Sequence, residues 1–377
     1  MSEHSAPRVL AAAGIDRLMD GLRRWGYEVV GPTLRNEGIR LGELRSSNDL
    51  PRACADEQQP AHYRVRPRAD GALFAHAAPV DAWKRYFLPP ATRFLTVVRE
   101  ADGTLRFVAE AVAERRLALF GIRPCDLRAL AILDRVLMGD FVTDSAYAAR
   151  RRGVAVVAVN CVTPAASCFC AAMETGPWVK GAGYDLCLTE LLSPVHRFLV
   201  ETGSGLGEEL AEESGATVAG AADVAQAERL LANAAASQVR AVGLAGLRDR
   251  LYGAVESPHW NEVEKRCLAC TNCTMQCPTC FCTTMEDTSD LEGRTAERWR
   301  YWDSCFSQQY SYIHGGSVRK SIASRYRQWL THKFAAWQDQ FGCVGCVGCG
   351  RCITWCPAGI DVTEEVRAAG ETAVGGK

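Results

Sequence analysis

The sequence predicts an α/β domain with a mixed sheet, followed by a helical, cysteine-rich domain. Three observations carry this. Over roughly residues 1–250, short apolar runs of strand length alternate with segments of helical period. From about residue 260, cysteines, aromatics and basic residues replace that Ala/Val/Leu-rich pattern. Within this second part lie two cysteine runs of one spacing, Cys267-x2-Cys270-x2-Cys273-x3-Cys277-Pro278 and Cys346-x2-Cys349-x2-Cys352-x3-Cys356-Pro357.

The elements follow in order. Residues 11–25 read as a helix, with Ile15, Leu18, Met19, Leu22 and Trp25 on one face. Tyr27-Glu-Val-Val30 reads as a strand that Gly31-Pro32 should end. Residues 45–92 are rich in Pro, Arg and Ala and predict loops with short strands. Phe94–Val98 and Leu105–Val108 flank Asp102-Gly103, a hairpin signal. Leu117–Phe120 predicts a buried strand leading into Gly121-Ile-Arg-Pro-Cys125-Asp126, then a helix to about Leu137. Val154–Val159 is a second buried strand, ending at Asn160-Cys161. Strands at 184–190 and 197–201 and helices at 206–214 and 223–236 complete the first domain. The second domain spans 251–365 and carries a basic insert at 283–342 that reads helical from Ser317 to Gln340. The Gly-rich stretch 366–377 predicts a disordered tail.

Composition narrows the chemistry. At 377 residues and 48% hydrophobic, the chain has material for two or three cored domains. A formal charge of -1 gives no global attraction to nucleic acid or anionic lipid. No apolar stretch approaches the roughly 18 residues of a membrane span. The first residues lack the charged and apolar regions of a secretory signal, and Arg23-Arg24 falls inside the amphipathic helix. Eighteen cysteines are then expected as metal ligands in a reducing cytoplasm rather than as disulfides.

The two runs have the bacterial ferredoxin spacing, in which thiolates hold [4Fe–4S] cubanes and the fourth Cys of each run ligates the other cluster. Zinc sites favour two separated pairs instead. The rule assigns Cys267, Cys270, Cys273 and Cys356 to one cluster and Cys346, Cys349, Cys352 and Cys277 to the other. The second domain therefore reads as a dicluster ferredoxin-like unit, and the chemistry as electron transfer. Cys343 continues the two-residue spacing backwards, so a shifted register stays open. Cys280, Cys282 and Cys305 are extra and read as packed or neighbouring thiols. Cys125, Cys161, Cys168 and Cys170 follow two strand ends, where α/β sheets place ligands. They could hold a third cluster or simply pack, and the sequence leaves both open.

Other signals are weaker. Gly203-Ser-Gly205-Leu-Gly207 lacks the last glycine of a dinucleotide loop, having Glu208 there, and reads as a plain turn. Eight Arg and Lys lie in residues 294–333, interleaved with aromatics. Neutralising anionic clusters or docking an acidic redox partner explains them better than nucleic acid does. His314-Gly-Gly-Ser317 reads as a turn entering the insert helix, with His314 either structural or near a cluster.

These residues resemble a known family. Cys267–Pro357 is similar to the beta, iron–sulfur subunit of cytoplasmic NADP-linked [NiFe] hydrogenases (sulfhydrogenases) and to the related A subunit of anaerobic sulfite reductase. The resemblance rests on Cys270-Thr-Asn-Cys-Thr-Met-Gln-Cys-Pro-Thr-Cys-Phe-Cys282, Trp302-Asp-Ser-Cys305-Phe, Tyr312-Ile-His-Gly-Gly-Ser317 and Gly345-Cys-Val-Gly-Cys-Gly-Arg-Cys-Ile-Thr-Trp-Cys-Pro357. Ser324-Arg-Tyr-Arg-Gln-Trp-Leu-Thr-His332, Gly121-Ile-Arg-Pro-Cys-Asp-Leu127 and Cys168-Phe-Cys170 extend it, whereas Cys187 and Cys343 do not match family positions. It implies a non-catalytic relay between a flavin/NAD(P)-binding subunit and a catalytic partner. That partner would be the small and large hydrogenase subunits or a sulfite reductase catalytic subunit. An iron–sulfur regulatory or nucleic-acid-binding protein is the alternative of another class.

Overall fold

The computed structural model describes residues 6–112, 115–139 and 142–372. β1 (Arg8–Ala11) runs into α1 (Gly14–Arg24), whose Ile15, Leu18, Met19 and Leu22 are buried as the helical period requires. β2 (Glu28–Arg35) and β3 (Gly38–Glu43) follow as a hairpin. Here the expectation that Gly31-Pro32 ends the strand is corrected. β2 pairs with its parallel neighbour only over Glu28–Val30, so Pro32 lies where its missing N–H faces no second ladder. A Cβ on Gly31 would stand 2.4 Å from the Phe120 carbonyl oxygen, so this close approach needs glycine.

The Pro-rich stretch yields the hairpin β4 (Cys54–Gln59) and β5 (His62–Pro67) and the short helix α2 (Lys84–Phe87). β6 (Ala91–Arg99) and β7 (Leu105–Ala109) form the expected hairpin about Asp102-Gly103. β8 (Leu117–Ile122) is wholly buried and leads to α3 (Pro124–Leu137), with Pro124 in the first turn, where its missing N–H costs nothing. After α4 (Ser145–Arg151) come β9 (Ala155–Val159), β10 (Leu186–Leu191) and β11 (Arg197–Thr202). α5 (Gly205–Glu213), β12 (Thr217–Val218) and α6 (Ala221–Ala236) close the first part.

The main sheet has the order β12-β1-β11-β10-β9-β8-β2-β3. Its centre, β10-β9-β8-β2, is parallel and its flanks are antiparallel, which is the mixed α/β sheet expected. α1 and α5 cover one face, while α3 and α4 cover the other. Gly203-Ser-Gly205 is a plain turn: Ser204 Oγ caps α5 by accepting from the Gly207 N–H at 3.2 Å.

The second part opens with α7 (Leu247–Gly253), α8 (His259–Glu264) and α9 (Asn272–Met275). The first half of the insert is not helical. It forms β13 (Thr283–Ser289) and β14 (Thr295–Trp302), and β14 pairs with β6 to make a second sheet, β13-β14-β6-β7. Strands from both sides of residue 250 therefore share one sheet. His314 does not enter a helix either, but sits exposed on the turn between β15 (Tyr312–Ile313) and β16 (Gly316–Ser317). The helix starts later, as α10 (Ile322–Thr331), with Ser321 Oγ accepting from the Ser324 N–H. It passes through a π turn at His332–Ala336 into α11 (Trp337–Phe341).

α12 (Arg351–Thr354) and α13 (Val362–Thr372) end the described chain. The disordered tail is corrected for residues 366–372: Val362, Val366 and Ala369 form a buried stripe against the α7–α8 side of the domain. Residues 373–377 lie outside the described residues. Among the described residues, no helix is long and apolar enough to cross a membrane.

Candidate metal centre

Both cysteine runs are built by one device. In the first, α8 is closed by the Cys267 N–H on the Val263 carbonyl at 2.9 Å. Ala269 and Thr271 then take positive φ of 49° and 70°, turning the chain into α9, which carries Cys273. The Ala269 N–H donates to Cys267 Sγ at 3.4 Å. In the second run, Gly348 and Gly350 take the positive φ, the Gly348 N–H donates to Cys346 Sγ at 3.4 Å, and α12 carries Cys352. The Ile360 N–H donates to Cys356 Sγ at 3.4 Å. Tight left-handed turns thus aim several sulfurs inward and supply N–H donors that favour their anionic form.

The fourth cysteines cross over. Cys267, Cys270, Cys273 and Cys356 line one cavity, together with Cys352. Cys277, Cys346, Cys349 and Cys352 line a second. Cys343 lines neither, and packs beside Trp337 and Phe341 instead. Trp329 borders both cavities, in a buried aromatic group with Phe306 and Tyr326 at centroid distances of 5.4–5.7 Å.

As bare thiols these groups resist ionisation. Burial first, and then neighbouring sulfur charge, push Cys273 and Cys352 well up. Burial pushes Cys346 up to about 12. Cys277 goes the other way, through a hydrogen bond from Cys280 and then the Lys333 ammonium. Metal ligation removes such protons outright, so crowded buried thiols gain most from a cationic group. No three Cys, His, Asp or Glu side chains among the described residues converge on a single-ion site. The Trp329 Nε1–H between the two cavities has no partner, so a sulfur-rich group there meets a free donor. Five thiols around the first cavity and four around the second, Cys352 bordering both, with backbone N–H donors and aromatic walls, give each cavity enough ligands for a [4Fe–4S] cubane.

The structure also brings Cys125, Cys161, Cys168 and Cys170 together. β8 and β9 are adjacent and parallel, so Cys125 at the start of α3 and Cys161 after β9 emerge side by side. All four are 5–7% exposed. Burial raises each thiol; sulfur charge adds to this between Cys168, Cys170 and Cys161, and between Cys125 and Cys170. Gln238 Nε2 donates to Cys170 Sγ at 3.5 Å. This set abuts the second cavity: Cys168 Sγ lies 3.9 Å from the Cys349 carbonyl oxygen, and the Phe169 N–H bonds the Gly348 carbonyl at 2.8 Å. A Cβ on Gly348 or Gly350 would come within 2.6 Å of that loop's backbone. Arg351, fully buried, clamps the two loops through paired bonds of 2.7 and 2.8 Å to Asp126, next to Cys125.

Comparison with known proteins supports iron–sulfur chemistry in the second part of the chain. Residues 266–360 match the family model described as a 4Fe-4S dicluster domain. The chain is 31% identical over 299 residues to the sulfhydrogenase 2 subunit beta of Pyrococcus furiosus, covering 76% of this chain and 84% of the relative. It belongs to the sulfhydrogenase beta-subunit family. As a family member with a dicluster domain, it is an iron–sulfur electron-transfer subunit of the oxidoreductase class. No solved structure matches it.

Several site residues of this beta-subunit homologue escaped sequence reasoning. Lys333, in the π turn, is 4% exposed and donates to Cys277 Sγ at 3.3 Å, Thr279 Oγ1 at 3.1 Å and the Gly345 carbonyl at 2.9 Å. Lys84, 3% exposed, donates to the Cys280 carbonyl at 2.9 Å and lies 4.3 Å over the Trp302 ring. Neither ammonium has a carboxylate among these contacts, so the nearest anions are sulfur. A π turn is a common mark of a functional position, but a single turn leaves no sequence period to find. Much of the basic run serves elsewhere: Arg298 pairs with Asp287, Arg300 with Asp144, and Arg325 bonds the Lys320 carbonyl.

Proposed function

We propose that this chain relays single electrons between a flavin/NAD(P)-binding subunit and a [NiFe] hydrogenase catalytic module in the cytoplasm. One cluster would be held by Cys267, Cys270, Cys273 and Cys356 and a second by Cys346, Cys349, Cys352 and Cys277, with Cys125, Cys161, Cys168 and Cys170 holding a third. The observation that carries this reading is the pair of crossed thiol sets in adjacent cavities, with the third set against the wall of the second. Family membership supports the assembly with partner subunits. Bound cubanes supply one-electron transfer, at potentials that span about -700 to +450 mV according to charge, hydrogen bonding and exposure.

The chain's own side chains set those terms. Phe306, Tyr326 and Trp329 give the first cavity an apolar wall. Lys333 offsets the negative charge of the second thiol set, and Arg351 lies beside Cys349 and Cys125. The absence of a convincing dinucleotide loop supports a separate flavin or nicotinamide subunit. A basic run dispersed among ion pairs supports the relay over a nucleic-acid surface.

Replacing Cys356 with Ser tests the crossing. The expected outcome is loss of the cluster built on the first run, seen as about four iron fewer per chain. Loss of the second-run cluster alone would refute the crossing. Iron analysis of the intact chain should give about twelve per chain, and about eight would remove the third site.

A further inference from the structure

Arg123, between β8 and α3, is 1% exposed and bonds only backbone. Its guanidinium donates to the Phe74 carbonyl at 2.7 Å, the His76 carbonyl at 2.5 Å and the Asn160 carbonyl at 3.2 Å, and it lies 3.5 Å from the Val159 carbonyl. Nε, also buried, has no partner. None of these contacts supplies a negative charge. Asp56 feels Arg123 through space, but its oxygens take the Ala77 N–H at 2.9 Å and Gln58 Nε2 at 2.5 Å, and burial pushes its carboxyl toward the neutral form. A guanidinium stays charged when buried, and a buried charge with no anion opposite it is strongly disfavoured. The three segments that Arg123 ties together are walls of the third thiol set. Cys125 comes two residues after it, and Cys161 directly follows Asn160. From the Phe74–Ala78 segment, Ala77 packs in one apolar group with Cys168, and Ala78 in another with Cys125 and Cys170.

We propose that Arg123 is the fixed counter-charge of the third thiol set and raises the reduction potential of the centre held there. This rests on Cys125, Cys161, Cys168 and Cys170 carrying a cubane. Four thiolates around such a cluster leave it net negative, and taking up an electron adds one more negative charge. In a buried site that added charge is costly unless a cation faces it. The neighbouring cations are already matched. Asp126 accepts both bonds from Arg351, and Arg240, which bonds the Ala166 carbonyl, pairs with Asp361 at 2.5 Å. Gln238 Nε2 gives Cys170 a neutral hydrogen bond only. Arg123 is left with its full charge, and that charge already opposes the effect of burial at the Cys161 thiol.

The test is an EPR-monitored redox titration of the full holo-chain, prepared anaerobically, with iron counted in the same samples. The third centre is the step that Cys161→Ser removes. Arg123→Lys keeps the charge, whereas Arg123→Gln keeps N–H donors for the carbonyls and loses the charge. The expected result is about tenfold weaker one-electron reduction of the third centre in Arg123→Gln, a downward shift of about 59 mV. Arg123→Lys should stay close to the parent, and the other two centres should not move. Loss of about four iron in Arg123→Gln but not in Arg123→Lys supports the counter-charge equally. Equal potentials in the parent and Arg123→Gln would overturn the proposal. So would an equal shift, or loss of the third centre or of the fold, in both variants, which would make Arg123 a tie between loops. About eight iron in the parent chain would instead fail the third-cluster reading, and with it remove the anion assigned to Arg123.

Discussion

At the scale of single residues, the account turns on buried charge. Lys333 is held by Cys277, Thr279 and Gly345, and the Cys277 sulfur, held toward its thiolate form, pushes the ammonium's pKa up against the effect of burial. Lys333→Met removes that charge and a sulfur hydrogen bond together. The second-run centre should become harder to reduce, by on the order of 60 mV, a tenfold factor for one electron. A redox titration followed by EPR reads this, and an unchanged potential would separate Lys333 from the centre. His76 gives a pH prediction. Burial first, then the Arg123 guanidinium, hold its folded pKa well below the ordinary value of 6.5. As pH falls below about 6.5 the unfolded chain binds a proton that the folded chain refuses, so stability declines until the folded pKa is reached. His76→Gln keeps a side-chain donor for the Ala77 carbonyl, which His76 Nδ1 contacts at 2.7 Å. It should flatten the loss of denaturant stability between about pH 7 and pH 5. The cysteine types were legible at this scale because ferredoxin spacing is rigid. Lys84, Lys333 and Arg351 were not, because a buried cation looks like a surface one until its partners are folded around it.

At the scale of elements, the second sheet joins the two parts of the chain. β14 contributes Arg300 to Asp144 at the N-cap of α4, and the Trp302 Nε1–H to the Leu88 carbonyl at 2.8 Å. The Trp302 ring also lies under Lys84. Trp302→Ala should therefore cost about 3 kcal/mol. It should also speed amide exchange across residues 283–302 while β8 and β9 keep their protection, as hydrogen-exchange mass spectrometry would show. Uniform loss of protection would mean that the hairpin does not open on its own. The hairpin was missed because the partner that fixes it, β6, lies about two hundred residues upstream in sequence. α13 was missed for another reason. Its Ala- and Gly-containing sequence resembles a solvated tail, and only the α7–α8 surface makes Val366 and Ala369 a core face. The amphipathic α1 and the β8–α3 unit were legible because their own periodicity and punctuation suffice.

At the scale of the molecule, the second cavity is central. It shares Cys352 and Trp329 with the first cavity and meets the third thiol set at Cys349. That layout suits a subunit whose work is to connect others, since the chain offers several thiol groups in series. The change of character near residue 260 was legible from composition, and the dicluster match begins at residue 266. The sharing of a sheet between the domains, and the convergence of Cys125 and Cys161 with Cys168 and Cys170, depend on strand order that spacing does not encode. The most direct measurement is anaerobic purification of the native complex, identification of its chains, and assay of hydrogen-dependent NADP reduction. The account predicts co-purifying flavoprotein and hydrogenase subunits and an activity that fails when Cys277 is replaced by Ser. A chain that purifies alone, with no flavoprotein partner, would contradict it.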